Sequence, residues 1–130
     1  MTLISFCATI LVIIAFGVAV FQVCLACGAP WGAFAFGGAN VGRLPLRYRF
    51  ISAASLLIYA IQAAVYAQAA GLVELPLVAS SFPWLLWVFV GFFALGTIMN
   101  AISRSKPERY TWTPILVVSL VCALTVALNA

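Results

Sequence analysis

The sequence predicts an all-α membrane protein: a four-transmembrane-helix bundle with both termini on the outer side, N-out and C-out. Three observations carry this. Of 130 residues, 67% are apolar and 6% charged, whereas a soluble domain has roughly a quarter of its residues charged. Four apolar stretches, Leu3 to Leu25, Phe50 to Leu72, Pro83 to Ile102 and Pro114 to Leu128, are each close to the ~20 residues needed to cross a hydrocarbon core. All six basic side chains fall in two of the three gaps between those stretches.

Apolar runs this continuous must be helices, because a lipid-exposed backbone has only itself to hydrogen-bond with. The expected spans are residues 3–25, 46–71, 83–102 and 114–129, forming a single transmembrane domain over residues 1–130. The gaps are too short for a catalytic head, a receptor domain or a nucleic-acid module. The net charge of +4 is therefore a topology and lipid signal, and no nucleic-acid partner is expected. Arg43, Arg47 and Arg49 lie in the first gap and Arg104, Lys106 and Arg109 in the third, while the second carries only Glu74. The first and third gaps share a side, and cytoplasmic loops are those enriched in Lys and Arg. Met1 to Leu25 does not read as a signal peptide, since it lacks a basic leading region and its apolar run is too long.

The first helix should begin near Thr2 and end at Cys27 to Gly28, because Gly28, Pro30, Gly32, Gly37 and Gly38 oppose further helix. The gap that follows is irregular and apolar, with Trp31, Phe34 and Phe36 suited to headgroup level. Pro45 fits the first turn of the second helix. Two stripes run down that helix at helical spacing. One is polar: Ser52, Ser55, Tyr59, Gln62 and Tyr66. The other is small: Ala53, Leu57, Ala60, Ala64, Ala67 and Gly71. Small stripes let backbones approach closely in lipid, which makes the second helix the expected central packing element. An outward loop with Pro76, Ser80 and Ser81 leads to the third span, anchored by Trp84 and Trp87. Pro114 is expected to start the fourth helix.

Few residues offer chemistry. Cys24 and Cys27 form a CxxC pair that could exchange disulfides, but the charge rule puts them on the side where thiols stay reduced. Cys7 and Cys122 lie inside other spans. The chain has no His and no Asp, which leaves no metal-ligand set, no usual haem ligand and no His general base. No cofactor and no catalytic residue are assigned, and an enzyme is the minority reading. Acid-dependent export is disfavoured because no span core carries an ionisable residue other than thiols and phenols. The face made by Ser55, Tyr59, Gln62 and Tyr66 reads either as a polar path or as interhelical hydrogen bonding. Arg47, Arg49, Arg104 and Arg109, with Trp31 as interfacial anchor, form the candidate site for anionic headgroups, against the plainer reading that they set orientation, with Glu108 paired to Arg104 or Arg109.

The stretches Gly28-Ala29-Pro30-Trp31-Gly32, Gly37-Gly38, Gly42 to Pro45, and Asn100 to Ser103 with Ser105, Glu108, Arg109, Trp112 and Pro114 resemble an uncharacterised family of small bacterial four-helix integral membrane proteins. The resemblance implies a bacterial cytoplasmic (inner) membrane location and a role for the two basic gaps beyond topology. It supplies no catalytic residue. The reading placed first is a non-enzymatic subunit or bundle binding membrane lipids, a membrane-protein partner or a second copy through its cytoplasmic loops. A small transporter or permease along the second helix comes next, and a thiol oxidoreductase using Cys24 and Cys27 last. A reporter fused after Ala130 is expected to be active outside the cell. Activity inside would overturn the orientation and, with it, the argument that Cys24 and Cys27 stay reduced.

Overall fold

The computed structural model describes residues 2–74 and 83–129. Its helices are α1 (Leu3–Ala26), α2 (Leu46–Ala69), α3 (Leu85–Ala101) and α4 (Lys106–Asn129). α1, α2 and α4 are each 24 residues long and apolar enough to cross a membrane, and α3 is a shorter apolar helix of 17 residues. At 1.5 Å per residue, 24 residues cover about 36 Å and 17 about 26 Å. Both lengths are near the ~30 Å of a hydrocarbon core. The expected loop with Pro76, Ser80 and Ser81 lies outside the described residues.

Helix ends follow local chemistry. Thr2 caps α1, its hydroxyl accepting from the Ser5 amide at 3.1 Å. At the other end Gly28 takes φ +100°, its N–H donates to the Leu25 carbonyl and that of Ala29 to the Cys24 carbonyl. This is the Schellman closure that favours glycine. α4 starts eight residues earlier than Pro114, which lies inside the helix. The sequence offers two prolines for that start. Pro107 takes the first-turn place, where a missing N–H costs nothing, and the Arg109 amide donates to the Ser105 carbonyl at 2.9 Å.

α1 packs along α2, α3 along α4, and α1 against α4, so two antiparallel hairpins meet through their outer members. α1 and α4, rather than α2, are the central pair. Cys7, Ala8, Leu11 and Ala15 of α1 and Ser119, Cys122, Ala123 and Val126 of α4 are buried. The small stripe of α2 largely faces outward, with Ala53, Leu57 and Ala60 exposed, while Ser52, Gln62 and Tyr66 are buried. A helix carrying both stripes turns the polar one inward, because polar groups facing lipid have no partners. Close packing is supplied instead by the alanines of α1 and α4.

α2 and α3 meet through side chains, Tyr59 against Phe92 with ring centroids 6.5 Å apart and Tyr66 against Phe89 at 5.8 Å. The outer surface is apolar, with Ile13, Phe16, Leu57, Leu95, Ile98 and Val121 exposed. Exposed apolar and buried polar side chains together are what a bilayer selects.

Replacing Ala123, which has no exposed surface, by Leu should destabilise the protein by about 1–3 kcal/mol through overpacking. Val121→Leu, on the outward face of the same helix, should be close to neutral. Thermal unfolding in detergent checks both.

Candidate functional site

In the half of the bundle near Thr2 and Asn129, Cys7, Ala8, Leu11, Val65, Tyr66, Phe89, Phe93, Cys122, Ala123 and Val126 form one apolar cluster. The opposite half contains a chamber of about 220 Å³. All four helices line it, with Ile14, Ala15, Val18 and Gln22 from α1, Tyr59 and Gln62 from α2, and Phe92, Phe93, Gly96 and Asn100 from α3. α4 contributes Glu108, Trp112, Ile115, Leu116 and Ser119, and Phe34, Ala35 and Phe36 of the first loop reach it as well.

The loop holds its place through the start of α4. The Trp112 indole donates to the Phe34 carbonyl at 2.8 Å, and the Ser105 hydroxyl donates to the Ala33 carbonyl. A side chain added at Gly38 would fall 2.4 Å from Ser105 Cβ, and one at Gly32 only 1.8 Å from the Asn40 carbonyl oxygen. The loop also closes on itself, the Gly32 N–H donating to the Gly42 carbonyl at 2.8 Å. Phe36 has φ +51°, a left-handed conformation that costs a non-glycine residue on the order of 1 kcal/mol. Its ring lies 4.8 Å from Tyr48 and joins the chamber wall. The first and third gaps therefore form one structure, and Gly32, Gly38, Ser105 and Trp112 are its joints.

The arginines do not all serve one purpose. Arg49 Nε donates to the Ala26 carbonyl at 3.0 Å, and Arg109 Nη1 to the Ser103 carbonyl at 3.2 Å. Each places a cation at the C-terminus of the helix preceding its own, a contact worth about 0.3–1 kcal/mol. The two hairpins thus repeat one device. Arg47 and Arg109 also stack over the neighbouring Tyr48 and Tyr110 rings, at 4.8 and 4.9 Å. Arg43, Arg47, Arg104 and Lys106 are exposed. Trp31, 42% exposed, stacks on Phe21 with centroids 6.1 Å apart, and Phe21 in turn meets Trp112 edge-on at 4.8 Å.

Among the described residues Glu108 has no ion pair with Arg104 or Arg109. Its Oε2 accepts from the Ser103 hydroxyl at 2.8 Å. Arg109 is drawn instead to the carbonyl of the same serine, and Arg104 points to solvent as an exposed side chain.

The polar face of α2 divides. Tyr59 and Gln62 line the chamber. Ser55 donates to the Ser52 carbonyl of its own helix at 2.7 Å, and Tyr66 is buried against Phe89 beyond the chamber. Gln22, Asn100, Ser119 and Glu108 join the site from other elements. Of these, Asn100 and Ser119 donate to the Gly96 and Ile115 carbonyls of their own helices, each at 2.8 Å. Among the described residues the buried side-chain atoms without partners are Gln22 Oε1 and Gln62 Nε2, on residues that line the chamber, and Ser52 Oγ, Tyr66 OH, Gln68 Oε1 and Thr113 Oγ1 elsewhere; Gln62 is only 2% exposed. Gln22 had no signal in the sequence beyond being a polar residue within an apolar span.

The four cysteines are free. Cys7 and Cys122 are neighbours across the α1–α4 contact, whereas Cys24 and Cys27 lie at the other end of α1. Seventeen residues separate Cys7 from Cys24, about 25 Å along the helix, so the two pairs cannot exchange directly. Among the described residues no group of three or more His, Cys, Asp or Glu side chains could hold a metal ion. No protein-family model, curated protein or solved structure matches this chain.

Gly32→Ala is expected to undock the loop and speed proteolysis between Gly28 and Gly42, because the new methyl group meets backbone rather than a movable side chain. Gly91→Ala, with open space at the corresponding position, should leave cleavage unchanged.

Proposed function

We infer that this protein is a non-enzymatic membrane bundle that binds a small amphipathic molecule in its central chamber, a carrier or permease of minimal size. The observation that carries this reading is the chamber itself, lined by all four helices, with Gln22 and Gln62 among its residues. Each of the two has one amide atom without a partner among the described residues, as do Ser52, Tyr66, Gln68 and Thr113 elsewhere, and an unpaired buried polar group costs about 1–3 kcal/mol that a ligand bond would offset. The remaining wall is mostly apolar with a few convergent polar groups, the usual make-up of a small-molecule site.

The α2–α3 seam, bridged by Tyr59 and Phe92, offers entry from the bilayer. With the basic loops inward, the chamber belongs to the cytoplasmic half of the bundle, under the docked first loop. The apolar cluster around Tyr66 and Phe89 closes the outer half, so passage across the membrane requires that cluster to open. The exposed Arg43, Arg47, Arg104 and Lys106 around the loop end suit anionic headgroups and would hold the bundle at that depth. In a bacterium, as the resemblance implies, this would be the inner membrane.

The competing account makes Gln62 an interhelical bond worth about 0.6 kcal/mol. Gln62→Leu separates the two. As a binding residue, its loss removes an unpaired polar group, and the variant should gain about 1 kcal/mol in thermal unfolding while binding 2-phenylethanol in nanodiscs more weakly than wild type. A less stable variant with unchanged binding would refute the reading.

A further inference from the structure

Charge is sorted around the chamber in a way that the overall composition does not suggest. The chain carries six basic and two acidic side chains, yet the chamber lining includes one carboxylate, Glu108, and no Lys or Arg. Arg49 and Arg109 are held at helix C-termini, and Arg43, Arg47, Arg104 and Lys106 are exposed. Glu108 is partly buried and fixed by one short bond from Ser103. Seven aromatic residues of the same wall accompany it, among them Phe34, Phe36, Tyr59, Phe92 and Trp112. A single negative charge beside a mostly apolar wall acts on a mobile ion more strongly than it would in bulk water, and aromatic faces attract organic cations and not anions.

We propose that the chamber selects a small organic monocation, a primary or substituted ammonium on an aromatic or branched apolar body, with its charged head at Glu108 and its body against Trp112, one turn further along α4. This rests on the binding role assigned to the chamber above and names its ligand class. Glu108 and Ser119 lie eleven residues apart on α4, about 16 Å along the helix, so a small ligand headed at Glu108 occupies the loop end of the site. Size is bounded as well. A cavity of about 150 Å³ holds benzene, so by proportion the present 220 Å³ has room for about nine heavy atoms.

Glu108 also stands in the first turn of α4, where a carboxylate is favourable without any ligand. The experiment must therefore read charge selectivity and not stability. The full chain in phosphatidylcholine nanodiscs is titrated with 2-phenylethylammonium, its uncharged isostere 2-phenylethanol and the anion benzoate, which has the same number of heavy atoms, following tryptophan fluorescence with calorimetry as a second readout. Empty nanodiscs correct for partition into lipid. The expected result is binding of the ammonium at least tenfold tighter than the alcohol, with no saturable binding of the anion. Glu108→Gln should abolish that preference while leaving alcohol binding in place. Should Glu108→Gln fail to fold, the three-ligand comparison on the wild-type protein still decides. Equal binding of ammonium and alcohol, or preference for the anion, overturns the charge assignment and leaves the chamber as a neutral site. Absence of saturable binding by all three overturns the assignment together with the function on which it rests.

Discussion

The contact between α1 and α4, less extensive than the contact within either hairpin but the one that joins the two, is the constraint on which the rest of the structure depends. In lipid the burial of apolar surface gives little drive for helices to associate, so contact is won by van der Waals packing between backbones that come near each other. Ala8 and Ala15 on one side and Ser119, Ala123 and Ala127 on the other, all buried, permit that approach. Once α1 and α4 form the spine, their hairpin partners α2 and α3 are carried to its flanks and meet each other only through larger side chains. The interior is then filled where those side chains interlock, around Tyr66, Phe89 and Phe93, and hollow where they do not. The chamber follows from the same geometry that makes the spine.

Polar groups in such an interior have restricted options. Thr9, Thr97, Asn100, Ser119, Thr125 and Asn129 each donate to a carbonyl four residues back in their own helix, a self-contained arrangement that needs no neighbour. Gln22, Ser52, Gln62, Tyr66, Gln68 and Thr113 differ, each with a buried polar atom that has no partner among the described residues, and of these six Gln22 and Gln62 line the chamber.

The loop end is governed by a different economy. There the helices must terminate near water, and each hairpin solves the problem of its exposed carbonyls with an arginine from the next helix, Arg49 for α1 and Arg109 for α3. Using the arginines in this way keeps them out of the chamber and leaves Glu108 as its one charged lining residue. The glycine-rich first gap then folds across the end, because Gly32 and Gly38 tolerate contacts that any side chain would prevent. Its aromatic residues complete the wall that the helices leave open. Basic residues, glycines and aromatic rings that look like separate features of two loops are parts of one closure.

The sequence by itself determined the number of helices, their apolar character, most of their boundaries and the clustering of the basic residues, because these depend on local composition and on the length needed to cross a hydrocarbon core. It also singled out Tyr59 and Gln62, whose helical spacing places them on one face. It did not reveal which face of α2 turns inward: the small stripe and the polar stripe both had claims, and the outcome depends on whether another pair of helices packs more closely. The start of α4 was expected at Pro114 and lies eight residues earlier, because Pro107 satisfies the same rule for a first turn. Only the tertiary structure brought Gln22 of α1 and Glu108 of α4 to the same cavity as Gln62 of α2. A cavity is a property of how several helices fail to fill space together, and no periodicity within a single helix encodes it.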